Sequence, residues 1–377
     1  MLMAAGGTGG HVYPAIAVAK HLREVQPDSQ VLFVGTRERL EARAVPAAGF
    51  PLAVIRVKGL AGRQSLLQRV ASIAWLAAGL PLWQSLAILL RFRPHVVVGM
   101  GGFASGPVIL AARLTGIPTL AVEQNEIPGF TTRIIAKMVS AAAVVSEPCR
   151  QRYLRLLGKR ASKVSVRVVG NPVRAEILSA TREDGARALG LDVNRTILLA
   201  VGGSIGSLPV NRAFAGALEL LAKKPGFANS VDVLHITGRQ NIAFLDPARA
   251  EEFGLRYHVR DYLDDIHNAL AAADLVVTRA GGTALAEITA RGLPAIVIPW
   301  AGAADGHQEQ NALRLAKAGA AVMIRDAELS PERLADDLWR LLSDEHARKR
   351  VAERSKSLGR PDAAAHIVAM IEQLARR

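Results

Sequence analysis

The residues best suited to chemistry in this sequence lie in four glycine-rich segments. Residues 6–10 and 101–102 fall in the first half of the chain, and residues 202–206 and 281–282 fall in the second. Glycine lets the backbone turn tightly and lets a ligand approach the N–H groups that open a following helix, where the helix dipole favours negative charge. The four segments therefore predict sites for phosphate or diphosphate groups.

The details of these segments limit which phosphate ligand could bind. The run Gly7-Thr8-Gly9-Gly10 is not followed by the Lys-Ser/Thr of a Walker loop, and it lacks the third glycine of a dinucleotide fingerprint. Tight packing alone is an alternative explanation for such turns. The sequence has no Asp-x-Asp and no cluster with metal-ligand spacing, which disfavours a metal-anchored diphosphate. Helix N-termini and basic side chains such as Arg174 would then neutralise a leaving diphosphate.

His11 directly follows the first glycine segment, and we expect it in the first turn of a helix. The positive end of the helix dipole favours a neutral imidazole there, which can accept a proton. His11 is therefore a candidate general base. The alternative is that it caps the helix or contacts a phosphate.

The second half offers groups that could bind a sugar. Thr283 and Glu287 are four residues apart, so a helix would place both on one face, and a carboxylate there can accept hydrogen bonds from two adjacent hydroxyls. The segment 305–311 adds amides and ring nitrogens suited to sugar hydroxyls. The alternatives are an acidic side chain that only stabilises the helix dipole and an exposed polar loop.

The elements that must position these residues follow an α/β rhythm, because apolar β-branched runs recur and each precedes glycines and a helical pattern. The runs are residues 31–34, 96–98, 119–122, 142–145, 166–169, 196–201, 231–237, 275–278 and 295–298. The repeated glycine segments predict two doubly wound parallel-sheet domains that face each other, residues 1–162 and 163–359. A last helix, within residues 360–377, would pack back onto the first domain.

Composition and charge narrow the class of protein. A single cysteine, Cys149, excludes an internal disulfide and a multi-cysteine zinc site, and it fits a buried small residue better than a nucleophile. Residues 1–160 carry 19 Lys and Arg against 7 Asp and Glu, and no acidic residue lies between Glu41 and Glu123. A field of one sign attracts polyanions. Nucleic acid ranks below an anionic lipid surface, because no zinc-finger spacing or ribonucleoprotein motif accompanies the charge.

An uncharged stretch, residues 70–90, lies inside this acid-free region. Its length would just span a bilayer, but a glycine and a proline interrupt it and arginines flank both ends. We predict two helices, residues 65–78 and 81–92, whose apolar patch of Trp75, Leu76, Leu80 and Trp83 enters one leaflet. The alternative is that these are core faces of ordinary helices. No signal peptide is recognisable, so we expect the protein to stay inside the cell.

Together these motifs resemble the MurG family, the undecaprenyldiphospho-muramoylpentapeptide β-N-acetylglucosaminyltransferases of bacterial cell-wall synthesis in glycosyltransferase family 28. The similar segments are residues 6–15, 99–107, 123–125, 170–174, 202–204, 281–287 and 307–308. The resemblance implies a GT-B fold, in which two Rossmann-like domains face each other across a cleft. It implies a hexosyltransferase that inverts the donor linkage without metal or cofactor, moving GlcNAc from UDP-GlcNAc to the MurNAc 4-hydroxyl of lipid I to give lipid II.

The resemblance also assigns roles to residues of this chain. Donor contacts would be Thr8, Gly9, Gly10, Asn125, Arg174, Ser204, Leu263, Gly282, Thr283, Ala284, Leu285, Ala286 and Gln308. Glu287 would hold the ribose, Gln308 the GlcNAc and the Leu263 backbone the uracil. Gly101 and Gly102, with His11, would face the acceptor diphosphate. Peripheral attachment to the cytoplasmic face of the inner membrane, and partners in cell-wall synthesis and division, are implied as well.

Some positions depart from the family pattern, and rival functions remain open. Phe103, Val122, Ile205 and Glu126 stand where family members often have Tyr, His, Gln and Gly, so roles of those family side chains do not carry over. The rivals are a UDP-GlcNAc 2-epimerase, a GT-B transferase that acts on another lipid acceptor, and a membrane-bound nucleotide sensor. An epimerase has no need of a membrane patch, and a sensor would bind UDP-GlcNAc without turnover.

Overall fold

The computed structural model describes residues 1–57, 79–203, 206–241 and 254–376. The chain forms two compact units, residues 1–174 with 360–377, and residues 175–359. The first unit therefore extends past residue 162, the limit expected from the sequence. The reason is that β7 (Ser165–Val168) pairs with β6 (Ala141–Val144) and completes the first sheet.

The first unit contains a seven-stranded parallel sheet of order β3-β2-β1-β4-β5-β6-β7. The remaining strands are β1 (Leu2–Ala4), β2 (Leu32–Gly35), β3 (Leu52–Val54), β4 (Val97–Gly99) and β5 (Thr119–Val122). The helices are α1 (Gly9–Val25), α2 (Glu41–Ala47), α3 (Leu80–Phe92), α4 (Ser105–Leu114), α5 (Phe130–Ile135), α6 (Glu147–Leu157) and the C-terminal helix (Ala363–Ala375). The C-terminal helix packs against α1, since Ile367 and Ile371 share a buried cluster with Val18 and Leu22.

The second unit contains a six-stranded parallel sheet of order β10-β9-β8-β11-β12-β13. Its strands are β8 (Thr196–Val201), β9 (Val231–Ile236), β10 (Arg256–Arg260), β11 (Leu275–Arg279), β12 (Ala295–Ile298) and β13 (Val322–Met323). Its helices are α7 (Ala175–Ser179), α8 (Arg182–Leu189), α9 (Leu208–Ala222), α10 (Phe227–Ser230), α11 (Ile266–Ala272), α12 (Gly282–Arg291), α13 (His307–Lys317), α14 (Pro331–Ser343) and α15 (Glu345–Leu358).

The nine strands predicted from apolar runs are confirmed, with ends that match or differ by one residue. Inner strands such as β5, β6 and β12 are buried along their whole length, because helices cover both faces of a doubly wound sheet. The sequence did not reveal β3, β10 and β13. These are edge or very short strands, and β10 is polar and only half-buried, so they lack the apolar run of a central strand.

Both sheets reverse their strand order beside their first strand, between β1 and β4 in one unit and between β8 and β11 in the other. In open α/β sheets, ligands bind at the carboxyl ends of the strands at such a switch point. The four glycine segments directly follow β1, β4, β8 and β11. The fold thus places every one of the predicted phosphate-binding segments at a switch point.

Candidate active site

In the first unit, the loops that follow β1 and β4 touch through their backbones. Gly7 has a φ of +100° in the turn that leads into α1, a conformation that favours glycine. Gly102, in the neighbouring loop, has a φ of +75°, and a Cβ there would lie 2.1 Å from the carbonyl oxygen of Gly6. Only glycine permits this approach, so the two loops form one surface at the switch point.

A buried carboxylate fixes the first of these loops. Glu41 is fully buried, and its Oε2 accepts a hydrogen bond from the Gly7 N–H at 3.0 Å. Its Oε1 accepts from the N–H and the hydroxyl of Thr36, at 2.9 and 2.6 Å. Glu41, the first residue of α2, therefore links the glycine loop to Thr36, which follows β2. Sequence reasoning missed this role, and the only signal was that Glu41 is the last acid before the acid-free stretch.

His11 lies in the first turn of α1, as the sequence predicted, and it is half-buried. Its Nδ1 is 3.3 Å from Oε1 of Gln124, a buried residue that follows β5. The Gln124 Nε2 donates to the Met100 carbonyl at 2.8 Å. A Cβ on Gly101, whose φ is +87°, would lie 2.8 Å from the imidazole Nδ1. Loops after β1, β4 and β5 thus meet at His11.

The loop that carries Asn125 is organised by two buried acids. Glu123 Oε1 accepts from the backbone N–H and the side-chain amide of Asn125, at 3.0 and 3.3 Å, and its Oε2 accepts from a backbone N–H at Gly129. Glu126, which replaces a glycine common in the family, accepts from the Ser146 hydroxyl at 2.5 Å. The carboxylate that departs from the family pattern at Glu126 is therefore buried and hydrogen-bonded within the first unit. Burial also raises the pKa of the Cys149 thiol beside this loop, as a buried small residue requires.

Arg174, predicted to neutralise a leaving diphosphate, lies in the connection between β7 and α7, and its side chain reaches α1. Its guanidinium carbon is 4.5 Å from the centre of the Tyr13 ring, a cation–π contact. The same ring lies 3.1 Å from the position that a Cβ on Gly9 would take. The structure thus brings a positive charge close to the glycine loop of the first unit.

In the second unit, a buried guanidinium joins the loops around the switch point. Arg279 ends β11, and its Nη2 donates to the Ser207 hydroxyl at 2.8 Å, which ties it to the turn after β8. Its Nη1 donates to the Ile298 carbonyl at 3.3 Å and pairs with Asp326. Asp326 in turn accepts from the Ala301 N–H at 2.8 Å. Sequence reasoning missed Arg279, because none of its partners is close to it along the chain.

Two side chains of α13 bond the backbone of Ala280, one at its N–H and one at its carbonyl. Gln308 Oε1 accepts from the Ala280 N–H at 3.2 Å and from the Trp300 N–H at 3.0 Å. Asn311 Nδ2 donates to the Ala280 carbonyl at 3.0 Å. The amide oxygen of Gln308 therefore accepts from the protein backbone, and its NH₂ group is the part that can donate to a ligand.

The other second-unit residues proposed as donor contacts lie on α12 and in loops of this unit. Residues 282–286 form the first turns of α12, and Glu287 lies one turn further, with 6% of its side chain exposed. Leu263 lies in the connection between β10 and α11. Ser204 lies outside the described residues.

A neutral network is buried behind these loops. His235 Nδ1 is 2.7 Å from the Tyr257 hydroxyl, and its Nε2 is 3.1 Å from Asn211 Oδ1. The Asn211 NH₂ donates to the Thr237 carbonyl at 2.9 Å. Burial lowers the pKa of His235 to about 3, so its imidazole is uncharged at neutral pH.

Helix α3 presents an apolar stripe to solvent. Leu80, Trp83 and Leu90 are 47%, 67% and 66% exposed, and Arg91 and Arg93 at the end of the helix are exposed beside them. Trp75 and Leu76, the other members of the predicted patch, lie outside the described residues. Within the described ranges, no helix is long and apolar enough to cross a membrane.

Comparisons with known proteins agree over the whole chain. The glycosyltransferase family 28 N-terminal domain matches residues 1–144, and the family 28 C-terminal domain matches residues 197–367. The UDP-N-acetylglucosamine–N-acetylmuramyl-(pentapeptide) pyrophosphoryl-undecaprenol N-acetylglucosamine transferase of Moorella thermoacetica is 40% identical over 377 residues, which cover 98% of each chain.

The solved structures separate fold from family. The crystal structure of Acinetobacter baumannii MurG has a TM-score of 0.74 at 28% identity and covers 99% of each chain. A UDP-GlcNAc 2-epimerase from Neisseria meningitidis has a TM-score of 0.68 at 14% identity, again over 99% of each chain, which shows a shared fold alone. The predicted GT-B class with two Rossmann-like domains is confirmed. This chain belongs to glycosyltransferase family 28, and within it to the MurG family.

Proposed function

We propose that this protein transfers GlcNAc from UDP-GlcNAc to the MurNAc 4-hydroxyl of undecaprenyl-diphospho-MurNAc-pentapeptide. The observation that carries the proposal is the full-length similarity to transferases whose names state this reaction. The fold supports it, because each unit has glycine loops at its switch point, as a reaction between two diphosphate-bearing substrates requires.

In the proposed donor site, the second unit binds UDP-GlcNAc. The N-terminus of α12 receives phosphate charge, Glu287 accepts the ribose hydroxyls, and the Leu263 backbone contacts the uracil. The Gln308 NH₂ group donates to a hydroxyl of the sugar, which its fixed amide oxygen supports. The resemblance assigns further donor contacts to Arg174, Thr8, Gly9, Gly10 and Asn125, which all lie in the first unit.

In the proposed reaction, the acceptor oxygen forms a bond to C1 of GlcNAc while the bond from C1 to the UDP oxygen breaks. This single displacement turns an α-linked donor into a β-linked product. His11 takes the proton of the acceptor hydroxyl, and helix N-termini and Arg174 stabilise the charge that develops on the departing UDP. The acceptor diphosphate binds at Gly101 and Gly102. Because helix N-termini and Arg174 neutralise the leaving UDP, the proposed reaction uses no metal.

The apolar stripe of α3 is suited to bind the membrane in which the proposed acceptor lies. A polyprenyl diphosphate stays in the membrane, so an enzyme that acts on its headgroup must work at the bilayer surface. We infer that Leu80, Trp83 and Leu90 enter one leaflet while Arg91 and Arg93 meet anionic headgroups. The protein would then be peripheral on the cytoplasmic face of the inner membrane.

The proposal is tested by incubating the protein with UDP-GlcNAc and a lipid I analogue in the presence of EDTA. We expect acceptor-dependent release of UDP and a β-linked disaccharide lipid. Formation of UDP-ManNAc without acceptor would instead identify an epimerase. Binding of UDP-GlcNAc without any turnover would identify a sensor, and transfer to a different lipid acceptor alone would contradict the proposed specificity.

A further inference from the structure

We propose that Gln124 is a positioning residue that fixes His11 in the tautomer with the proton on Nδ1. Nε2 is then the imidazole nitrogen that can take the acceptor proton. This inference rests on the proposed function for the role of His11, but the tautomer can be measured without any reaction.

The first step is the orientation of the Gln124 amide. The Met100 carbonyl can only accept a hydrogen bond, and it lies 2.8 Å from the nitrogen of this amide. If the amide were turned over, two oxygens would face each other at that distance. Gln124 is 4% exposed, so solvent cannot compensate for a wrong orientation. The amide oxygen must therefore face His11.

The second step is the protonation of the imidazole. The Gln124 Oε1 is 3.3 Å from His11 Nδ1, and an amide oxygen can only accept. Nδ1 must then be the donor. A neutral imidazole carries one proton, so Nε2 holds the lone pair. The hydrogen bond at Nδ1 thus makes Nε2 the basic nitrogen of His11.

The backbone around the pair supports this arrangement. The Met100 N–H donates to the Ala4 carbonyl at 2.9 Å, so the residue whose carbonyl orients Gln124 is itself held by β1. A Cβ on Gly101 would lie 2.8 Å from His11 Nδ1 and 3.4 Å from Gln124 Oε1. A side chain at Gly101 would therefore push the imidazole away from the amide. Glycine at this position is needed for the pair and not for a ligand alone.

For catalysis, the consequence is that the basic lone pair of His11 is placed on Nε2. A general base must present a lone pair to the proton that it removes. With the proton fixed on Nδ1, the lone pair on Nε2 is present before the acceptor binds. When Nε2 takes the acceptor proton, Gln124 Oε1 keeps the hydrogen bond from Nδ1 and stabilises the imidazolium.

The test is nuclear magnetic resonance of the full-length protein labelled with ¹⁵N-histidine, in which long-range nitrogen–proton correlations separate the two tautomers. His11→Ala identifies the His11 signals. We expect the Nδ1–H form in the wild-type protein and a shift towards the Nε2–H form in Gln124→Met, which keeps the length of the side chain but cannot hydrogen-bond as an amide. Gln151→Met, on the exposed face of α6, is the matched control and should change nothing.

Kinetics on the same proteins provide the second readout. Loss of one hydrogen bond changes a tautomer ratio by about tenfold at most, so we expect Gln124→Met to lower kcat by no more than about that factor, with KM for UDP-GlcNAc nearly unchanged. An Nε2–H form in the wild-type protein would overturn the inference, as would an unchanged Nδ1–H form in Gln124→Met. If the tautomer shifts as expected but His11→Ala retains full kcat, the base assignment of the proposed function fails and the tautomer assignment stands.

Discussion

The two units have the same sheet topology around their switch points, yet side chains of opposite charge hold their glycine loops. In the first unit, the buried carboxylate of Glu41 accepts hydrogen bonds from the loop backbone. In the second unit, the buried guanidinium of Arg279 donates to the groups around it. A shared glycine pattern therefore does not imply a shared means of fixing the loop.

This difference decides which groups each unit can offer a ligand. Glu41 occupies the Gly7 N–H, and Glu123, the acid at the other end of the acid-free stretch, is equally buried. The first unit thus buries both of these carboxylates, which suits the acceptor diphosphate that we propose for it. In the second unit, the loops are held by Arg279, Gln308 and Asn311, and Glu287 is the carboxylate that we propose for the ribose hydroxyls.

The largest expected effect on stability follows from removing the Arg279 guanidinium, which holds the loops of the second unit. Arg279→Met leaves Asp326 and the Ser207 hydroxyl without their partner, and breaking a buried ion pair costs about 3 kcal/mol or more. We expect amide hydrogen exchange to show that the lost protection is confined to the second unit. Arg187→Met, at an ion pair that is largely exposed, should change stability by less than about 0.5 kcal/mol.

Removing the Glu41 carboxylate from the first unit should have a smaller effect on stability. Glu41→Ala leaves the Gly7 and Thr36 N–H groups without an acceptor, and we expect it to cost about 2 kcal/mol. Exchange should increase around β1, β2 and the start of α1 only. Glu147→Ala, an exposed surface carboxylate, is the control. Equal loss of protection in both units would show that the loops are not fixed separately.

Glu41 and Arg279 show which parts of the structure can be predicted from the sequence. The glycine segments and the central strands are encoded locally, in runs of apolar residues and in residues that tolerate unusual backbone angles, so they can be predicted. Glu41 acts on a loop 34 residues earlier, and Arg279 acts on Ser207, 72 residues earlier. Contacts of this kind depend on which strands become neighbours, and no local pattern reports that.

The same limit applies within the candidate site. The position of His11 at a helix start follows from the glycine motif, but its partner Gln124 is 113 residues away. The predicted sugar-binding role of the segment 305–311 needed sharpening for a similar reason. Only the fold shows that Gln308 and Asn311 hold the Ala280 peptide.

Acid should weaken the second unit before the first. The folded-state pKa of His235 is depressed from 6.5 to about 3, so its stabilising contribution is complete above pH 6.5 and is lost as the pH falls towards 3. We expect a loss of roughly 2 kcal/mol by pH 5. His258, whose pKa burial also lowers, adds in the same direction. Calorimetry at pH 7 and pH 5 measures the slope, and His235→Gln should flatten it.

The smallest expected effect concerns the exposed tryptophans of the two units. Trp83→Glu should weaken binding to phosphatidylglycerol-containing vesicles by about tenfold, since burying such a side chain is worth about 1.5 kcal/mol or more. Activity on a short-chain soluble acceptor should be kept. Trp300→Glu, which changes the 53% exposed tryptophan of the second unit, should leave vesicle binding unchanged. Equal losses in both variants would assign the lipid contact to general hydrophobicity.

The division of labour between the units is tested most directly by titrating UDP-GlcNAc into the wild-type protein, His11→Ala and Glu287→Gln, and measuring kcat on a lipid I analogue in parallel. We expect His11→Ala to bind UDP-GlcNAc nearly as tightly as the wild type while kcat falls about 100-fold or more. Glu287→Gln should weaken binding of UDP-GlcNAc by at least about tenfold. Loss of donor binding in His11→Ala, or unchanged binding in Glu287→Gln, would contradict the assignment of proton transfer to the first unit and of the donor to the second.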